Sequence, residues 1–202
     1  MKKLILTTLI AAGLGITAQG AFAVNGVAGV ANLESGATVT DTNADGIVQI
    51  QGLVVDTTCT ITGNAGQHVN LDLPKVQASK LAQQGAKLGE KSFEIKLSDC
   101  QNLGDITKAR AYFLDNTSYV NDNGRLINQL SSGDAATKVS IELLNSDDSV
   151  INPKLRESQS SNSFNIVDNA AILKYKARYY AEAANVTAGK VLAKVEYYIE
   201  YQ

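Results

Sequence analysis

The chain has no tryptophan, one methionine (Met1), one histidine (His68) and two cysteines, Cys59 and Cys100. It also lacks any excess of basic residues: the formal net charge is −2. Proteins that bind nucleic acid neutralise phosphates with a basic patch, so this balance argues against a nucleic-acid partner. After the first residues no long apolar run occurs, so nothing further along reads as a membrane-spanning helix. No G-x-S-x-G elbow, zinc-ligand cluster or phosphate-cradling glycine loop is present. His68 has no Ser–Asp or Cys pattern around it. Such partners can lie far away in sequence, but a lone histidine just before a strand reads as a surface or turn residue. An enzyme would have to assemble its catalytic set without any local motif. The expectation is therefore no enzymatic activity, no metal and no cofactor.

What is present begins with a leader. Met1-Lys2-Lys3 is followed by an apolar run over residues 4–16 and by Ala21-Phe22-Ala23. A basic start, a short apolar stretch and an A-x-A site make up a secretory signal peptide. The run is too short to span a bilayer. The mature chain is expected to start near Val24, outside the cytoplasm, and to be more acidic once Lys2 and Lys3 are gone. An exported chain with two cysteines, neither in a redox or metal motif, is expected to pair them. A Cys59–Cys100 bond would remove roughly 4 kcal/mol of unfolded-state entropy.

Small and β-branched residues, frequent Asn, Asp, Gly and Ser, and few helix-forming runs point to an all-β domain with many turns. Residues 24–45 are rich in Gly, Ala, Asn and Thr. In steps of two they give Val27, Gly29, Ala31, Leu33, Ser35, Ala37 and Val39 on one face, and a more polar set on the other. The residues alone leave two readings open, a strand and a terminal tail. Residues 46–55 place Val48, Ile50 and Val54 on one face, with Gly52 interrupting. Val69, Leu71 and Leu73 alternate up to Pro74. Residues 75–91 read as a loop or short helix, since Gly85 and Gly89 disfavour a long one. Phe93, Ile95 and Leu97 alternate up to Cys100. Further strands are expected at 109–113, around Val139, Ile141 and Leu143, and at 172–180. Asp122-Asn123-Gly124 marks a turn. The last strand has the cleanest period: Val191, Ala193, Val195, Tyr197, Ile199 and Tyr201 share one face. Their neighbours are mostly charged, as expected of a strand with one wet face. Many short strands with turns suggest a sandwich.

Three local patterns have a plain reading beside a chemical one. Asp41, Asn43 and Asp45 followed by Gly46 imitate the start of a calcium loop, but the twelfth position, which needs a bidentate carboxylate, is Gly52. A polar turn entering a strand is the better reading. Tyr175, Tyr179, Tyr180, Tyr197, Tyr198 and Tyr201 could stack a sugar, yet most fall in phase with strand faces, which favours packing. Asn116-Thr117-Ser118 fits a glycosylation sequon, but the leader looks bacterial.

Four stretches resemble the type 1 fimbrial major subunit family of chaperone–usher pilins. They are the run from Gly46 to Val55 leading to Cys59, the run Phe93-Glu94-Ile95-Lys96-Leu97-Ser98-Asp99-Cys100, the segment Ala177-Arg178-Tyr179-Tyr180, and the ending from Ala188-Gly189-Lys190 to Gln202. One departure is the long segment before Gly46, which exceeds the usual short extension. The resemblance implies an all-β, incomplete immunoglobulin-like (pilin) β-sandwich, completed by a donor strand from a neighbouring subunit. It divides the chain into a signal peptide (1–23), an N-terminal extension that acts as donor strand (24–45) and a pilin domain (46–202). Donor side chains would be Val27, Gly29, Ala31, Leu33, Ala37 and Val39. Val191, Ala193, Val195, Tyr197, Ile199 and Tyr201 would form one wall of the acceptor groove and the strand captured by a periplasmic chaperone. The implied partners are other copies of the subunit, that chaperone, an outer-membrane usher and, through the assembled fibre, a host receptor. The implied route runs through the periplasm to a surface fimbrium used in adhesion. The alternative is a minor pilin or single-domain glycan-binding adhesin.

Overall fold

Alternating side chains build nearly every element of this protein, and their phase decides what is buried. The computed structural model describes residues 54, 56–63, 66–131, 133–160 and 162–202. The leader, the donor candidates Val27, Gly29, Ala31, Leu33, Ala37 and Val39, the calcium-like turn and the 46–55 strand apart from Val54 lie outside the described residues.

Among the described residues nine strands follow in order: β1 (Thr58–Thr62), β2 (Lys87–Gln101), β3 (Lys108–Phe113), β4 (Leu126–Ile127), β5 (Val139–Asn145), β6 (Val150–Ile151), β7 (Phe164–Asn165), β8 (Ala171–Ala181) and β9 (Tyr197–Tyr201). A single-turn helix, α1 (Arg156–Ser160), precedes β7. One sheet has the order β1-β2-β8-β5-β4 with β6 also on β5, and the other is β7-β3-β9. All the pairings between these strands are antiparallel.

The inward phases of the two sheets meet in one core. Ile95 and Leu97 from β2, Ala109, Ala111 and Phe113 from β3, Ile141 and Leu143 from β5, and Leu173 and Tyr175 from β8 are buried together. Along β8 the even positions Ile172 and Lys174 are exposed while Ala171 and Leu173 are not, the two-residue period of a half-buried strand. Strand β5 is buried on both faces. Its outward polar side chains are satisfied there: Arg178 donates to Glu142 through Nε at 2.8 Å and Nη2 at 2.6 Å, and Ser140 Oγ donates to Glu182 at 2.6 Å. Buried charge is tolerated only when so paired.

Cys59 and Cys100 form a disulfide, their Cα atoms 4.0 Å apart. It ties the edge strand β1 to β2 where the pairing register shifts between Thr58 and Thr60. The 75–91 segment holds only a short 3-10 turn, Ala78–Leu81, and β2 has already begun at Lys87. Gly89 sits at the irregularity between Leu88 and Lys91 with φ +70°, and a Cβ there would lie 2.9 Å from the Tyr179 ring. The glycine that disfavours a helix thus serves a strand bulge. Gly124 ends the expected 122–124 turn at φ +77°.

Side chains fill the edge of β3 that faces away from β9. Phe164 of β7 pairs with Ala109. One step on, the Tyr175 hydroxyl accepts from the Ala111 N–H at 2.9 Å and faces the Ala111 carbonyl at 3.5 Å. At the next inward residue the Gln159 amide accepts from the Phe113 N–H at 2.8 Å and donates to its carbonyl at 3.1 Å. A phenol and a carboxamide take the place of a strand, so this edge offers no open backbone there.

Candidate functional site: an apolar groove between two unladdered walls

Among the described residues two of the expected strands have no ladder. Residues 69–73 and 191–196 are extended, yet neither segment pairs in a sheet with another described segment. Each alternates strictly. Val69, Leu71 and Leu73 on one side and Val191, Ala193 and Val195 on the other are half-buried, and the residues between them are exposed. Only the end of the last predicted strand, β9, pairs with β3. Between the two segments runs a groove of about 720 Å³. Its floor is core: Phe93, Ile95, Phe113, Ile141, Leu143 and Ala177. The 191–196 wall is held from outside by backbone and side-chain bonds. Gln129 N–H donates to the Leu192 carbonyl at 2.7 Å, Leu114 N–H donates to the Glu196 carbonyl at 2.9 Å, and Leu192 N–H donates to Asn128 Oδ1 at 3.0 Å.

An apolar trough bounded by two extended segments is the shape left when one strand is taken from a sandwich. An unladdered trough of this kind invites strand addition.

Of the wall residues expected from sequence, Val191, Ala193, Val195 and Tyr197 line the groove. Ile199 and Tyr201 lie beyond it, paired with Ala111 and Ala109 and packed against the core. The opposite wall and the floor were not assigned from sequence. The signal for the wall was the Val69, Leu71, Leu73 alternation. The floor carried no local signal, because it is assembled from four different strands.

The tyrosines divide by environment. Tyr175 is a buried hub, with Phe113 at 5.1 Å, Phe164 at 5.7 Å and Phe93 at 5.8 Å. Burial pushes its hydroxyl up to about 12. Tyr179 and Tyr197 face the groove, and Tyr197 donates to the Gln67 carbonyl at 3.0 Å. Tyr180 carries the Arg125 guanidinium 3.8 Å from its ring centre. The same guanidinium donates twice to Glu182 at 2.8 Å, and this bond holds the Glu182 carboxyl below its usual range. Tyr198 is the exposed one, its ring 5.0 Å from that of Tyr112. His68 is exposed at the groove rim. Asn116 of the sequon-like triplet ties its own turn, accepting from Ser118 N–H and donating to Glu196, each at 3.0 Å. Among the described residues no group of three or more His, Cys, Asp or Glu is placed to hold a metal. Among them, too, no helix is long and apolar enough to cross a membrane.

The fold and groove define an all-β sandwich with a strand-shaped gap. The family model described as "Fimbrial protein" matches residues 48–202. The chain is 37% identical over 163 residues to the major fimbrial subunit SMF-1 of Stenotrophomonas maltophilia (strain K279a), covering 78% of this chain and 93% of that one. It is 38% identical over 164 residues to the F17 fimbrial protein of Escherichia coli, covering 78% and 88%. A chain from a solved chaperone–usher pilus aligns at a TM-score of 0.53 and 22% identity, covering 82% of this chain and all of that one, a likeness of fold. The protein belongs to the fimbrial protein family and is a structural pilus subunit. The family is not an enzyme class; its members assemble with other pilin subunits into a surface fimbrium.

Proposed function

We propose that the groove accepts a strand donated by the N-terminal segment of another copy, and that this exchange builds the fibre. What supports the reading is the pair of extended walls without a ladder, standing over an apolar floor. A donated strand supplies main-chain hydrogen bonds to the walls, and its alternate side chains fill the floor. Val27, Gly29, Ala31, Leu33, Ala37 and Val39 are the side chains that enter. Each copy donates at one end and accepts in its groove. Such a head-to-tail contact does not close on itself and so gives an open filament.

Before assembly the unladdered groove needs a cover. A periplasmic chaperone reading the Val191, Ala193, Val195 and Tyr197 face fits that need, with an outer-membrane usher as the place of exchange. The leader over residues 1–23 directs the chain to the periplasm, residues 24–45 donate, and 46–202 form the accepting domain. The glycan-binding alternative has the exposed Tyr198 in its favour. That ring already packs at a tilt against Tyr112, and the adjacent Arg156 is paired with Glu200.

Deleting residues 24–44 from the mature chain is expected to abolish fibre growth while leaving a copy that still accepts a strand. Electron microscopy of cells expressing the deletion alone, and together with the intact chain, measures this. Undiminished fibres from the deleted chain alone are incompatible with strand donation.

A further inference from the structure

Strand donation leaves one question that alternation cannot answer. A slip of one residue turns the apolar side chains of a strand out into water, so parity is strongly fixed. A slip of two keeps the same face inward. Beside the sizes of the inward side chains, a feature that differs from one outward position to the next can choose among the even slips.

The sequence and the groove walls each supply one such feature. Residues 24–40 contain a single charged side chain, Glu34, and it falls in the outward phase between Leu33 and Ser35. The outward positions of the 191–196 wall are Leu192, Lys194 and Glu196, all exposed. Among the described residues Lys194 takes part in no ion pair. Two other lysines are engaged: Lys190 lies 3.4 Å from Asp134, and Lys91 donates to the Asp72 carbonyl at 2.8 Å. We infer that Glu34 of the incoming strand pairs with Lys194 of the accepting copy and that this contact helps to set the register of donation. The inference rests on the strand-donation reading above.

The pairing is consistent in phase. With Glu34 beside Lys194, both outward, Leu33 and Ser35 point inward beside Ala193 and Val195, whichever way the strand runs. The neighbouring even slips are disfavoured for different reasons. One sets Glu34 against Glu196, a carboxylate held in place by Asn116 at 3.0 Å. The other sets it against Leu192, which offers no charge. Opposite charges directly across a strand pair attract and like charges repel, so the outward row adds a distinction among registers that share the same parity.

Zero-length carbodiimide cross-linking of fibres grown from the full mature chain, read by peptide mass spectrometry, tests the contact directly. The reagent condenses a carboxylate with an amine, with loss of water taken up by the carbodiimide. The expected product is an amide between Glu34 of one copy and Lys194 of the next. Lys194→Arg keeps the charge and the fibres but removes the amine, so that product should vanish. Glu34→Lys or Lys194→Glu alone should lower fibre yield roughly fivefold, and the two together should restore it. Cross-linking of Glu34 to a different lysine, or single and double reversals that all assemble like the parent, overturns the inference. Fibres that form undiminished without residues 24–44 overturn the donation reading itself, an outcome separable from a wrong register.

Discussion

Replacing Tyr175 with alanine should lower the stability of the strand-complemented domain by about 3–5 kcal/mol. The ring is 2% exposed and touches three phenylalanines drawn from β2, β3 and β7. Removing it opens a cavity where both sheets meet, and the surrounding strands cannot all close on it. It also strips the Ala111 N–H and carbonyl of their partner on the β3 edge. Tyr175→Phe separates the two effects. It keeps the ring and leaves the buried Ala111 groups unsatisfied, for a loss of about 1–3 kcal/mol. Denaturant midpoints of the two variants, measured with a donor peptide bound, give both numbers. A Phe variant as damaged as the Ala variant would mean that the hydrogen bonds, not the packing, dominate at this position.

The second large effect belongs to the disulfide. Changing Cys59 and Cys100 together to alanine should cost about 4 kcal/mol, on the loop-entropy account for residues 41 apart. For a domain stable by about 5–15 kcal/mol that is a large share. The structure adds a local reason. Strand β1 is an edge strand with β2 as its neighbour in the sheet, and their register is irregular beside the bond. Without the link β1 should detach first. Hydrogen exchange would show protection lost in Thr58–Thr62 before the core strands, together with a lower denaturant midpoint. An unchanged midpoint and unchanged protection in β1 would refute the assignment.

Much of this fold could be read from period-two alternation, and the points where that reading stopped share a physical cause. Alternation reports which face of a segment is dry; it does not report whether a neighbouring strand exists. The residues at 69–73 and 191–196 therefore looked like ordinary strands, although they are the two sides of a gap. Ile199 and Tyr201 share the phase of Val191, but their stretch pairs with β3 and lies beyond the groove. Polar residues misled in a different way. Glu142 falls on what should be the wet face of β5, yet it is 3% exposed, because Arg178 reaches it from the next strand. Gln159 lies in a serine-rich stretch that offers no local clue, and its amide acts as a piece of β-strand against Phe113. Such roles depend on partners far away in sequence. The disulfide was legible because export and a two-cysteine count left one pairing.

The central claim is that the domain lacks one strand and that residues 24–45 of another copy provide it. Its most direct test is thermal unfolding of the mature chain without residues 24–44, titrated with a synthetic peptide spanning 24–45. The expected result is a weakly stable, aggregation-prone protein whose melting temperature climbs with peptide concentration, as for any ligand that binds only the folded state. A scrambled peptide should have no effect. A stable, closed monomer whose melting temperature ignores the peptide would contradict the account.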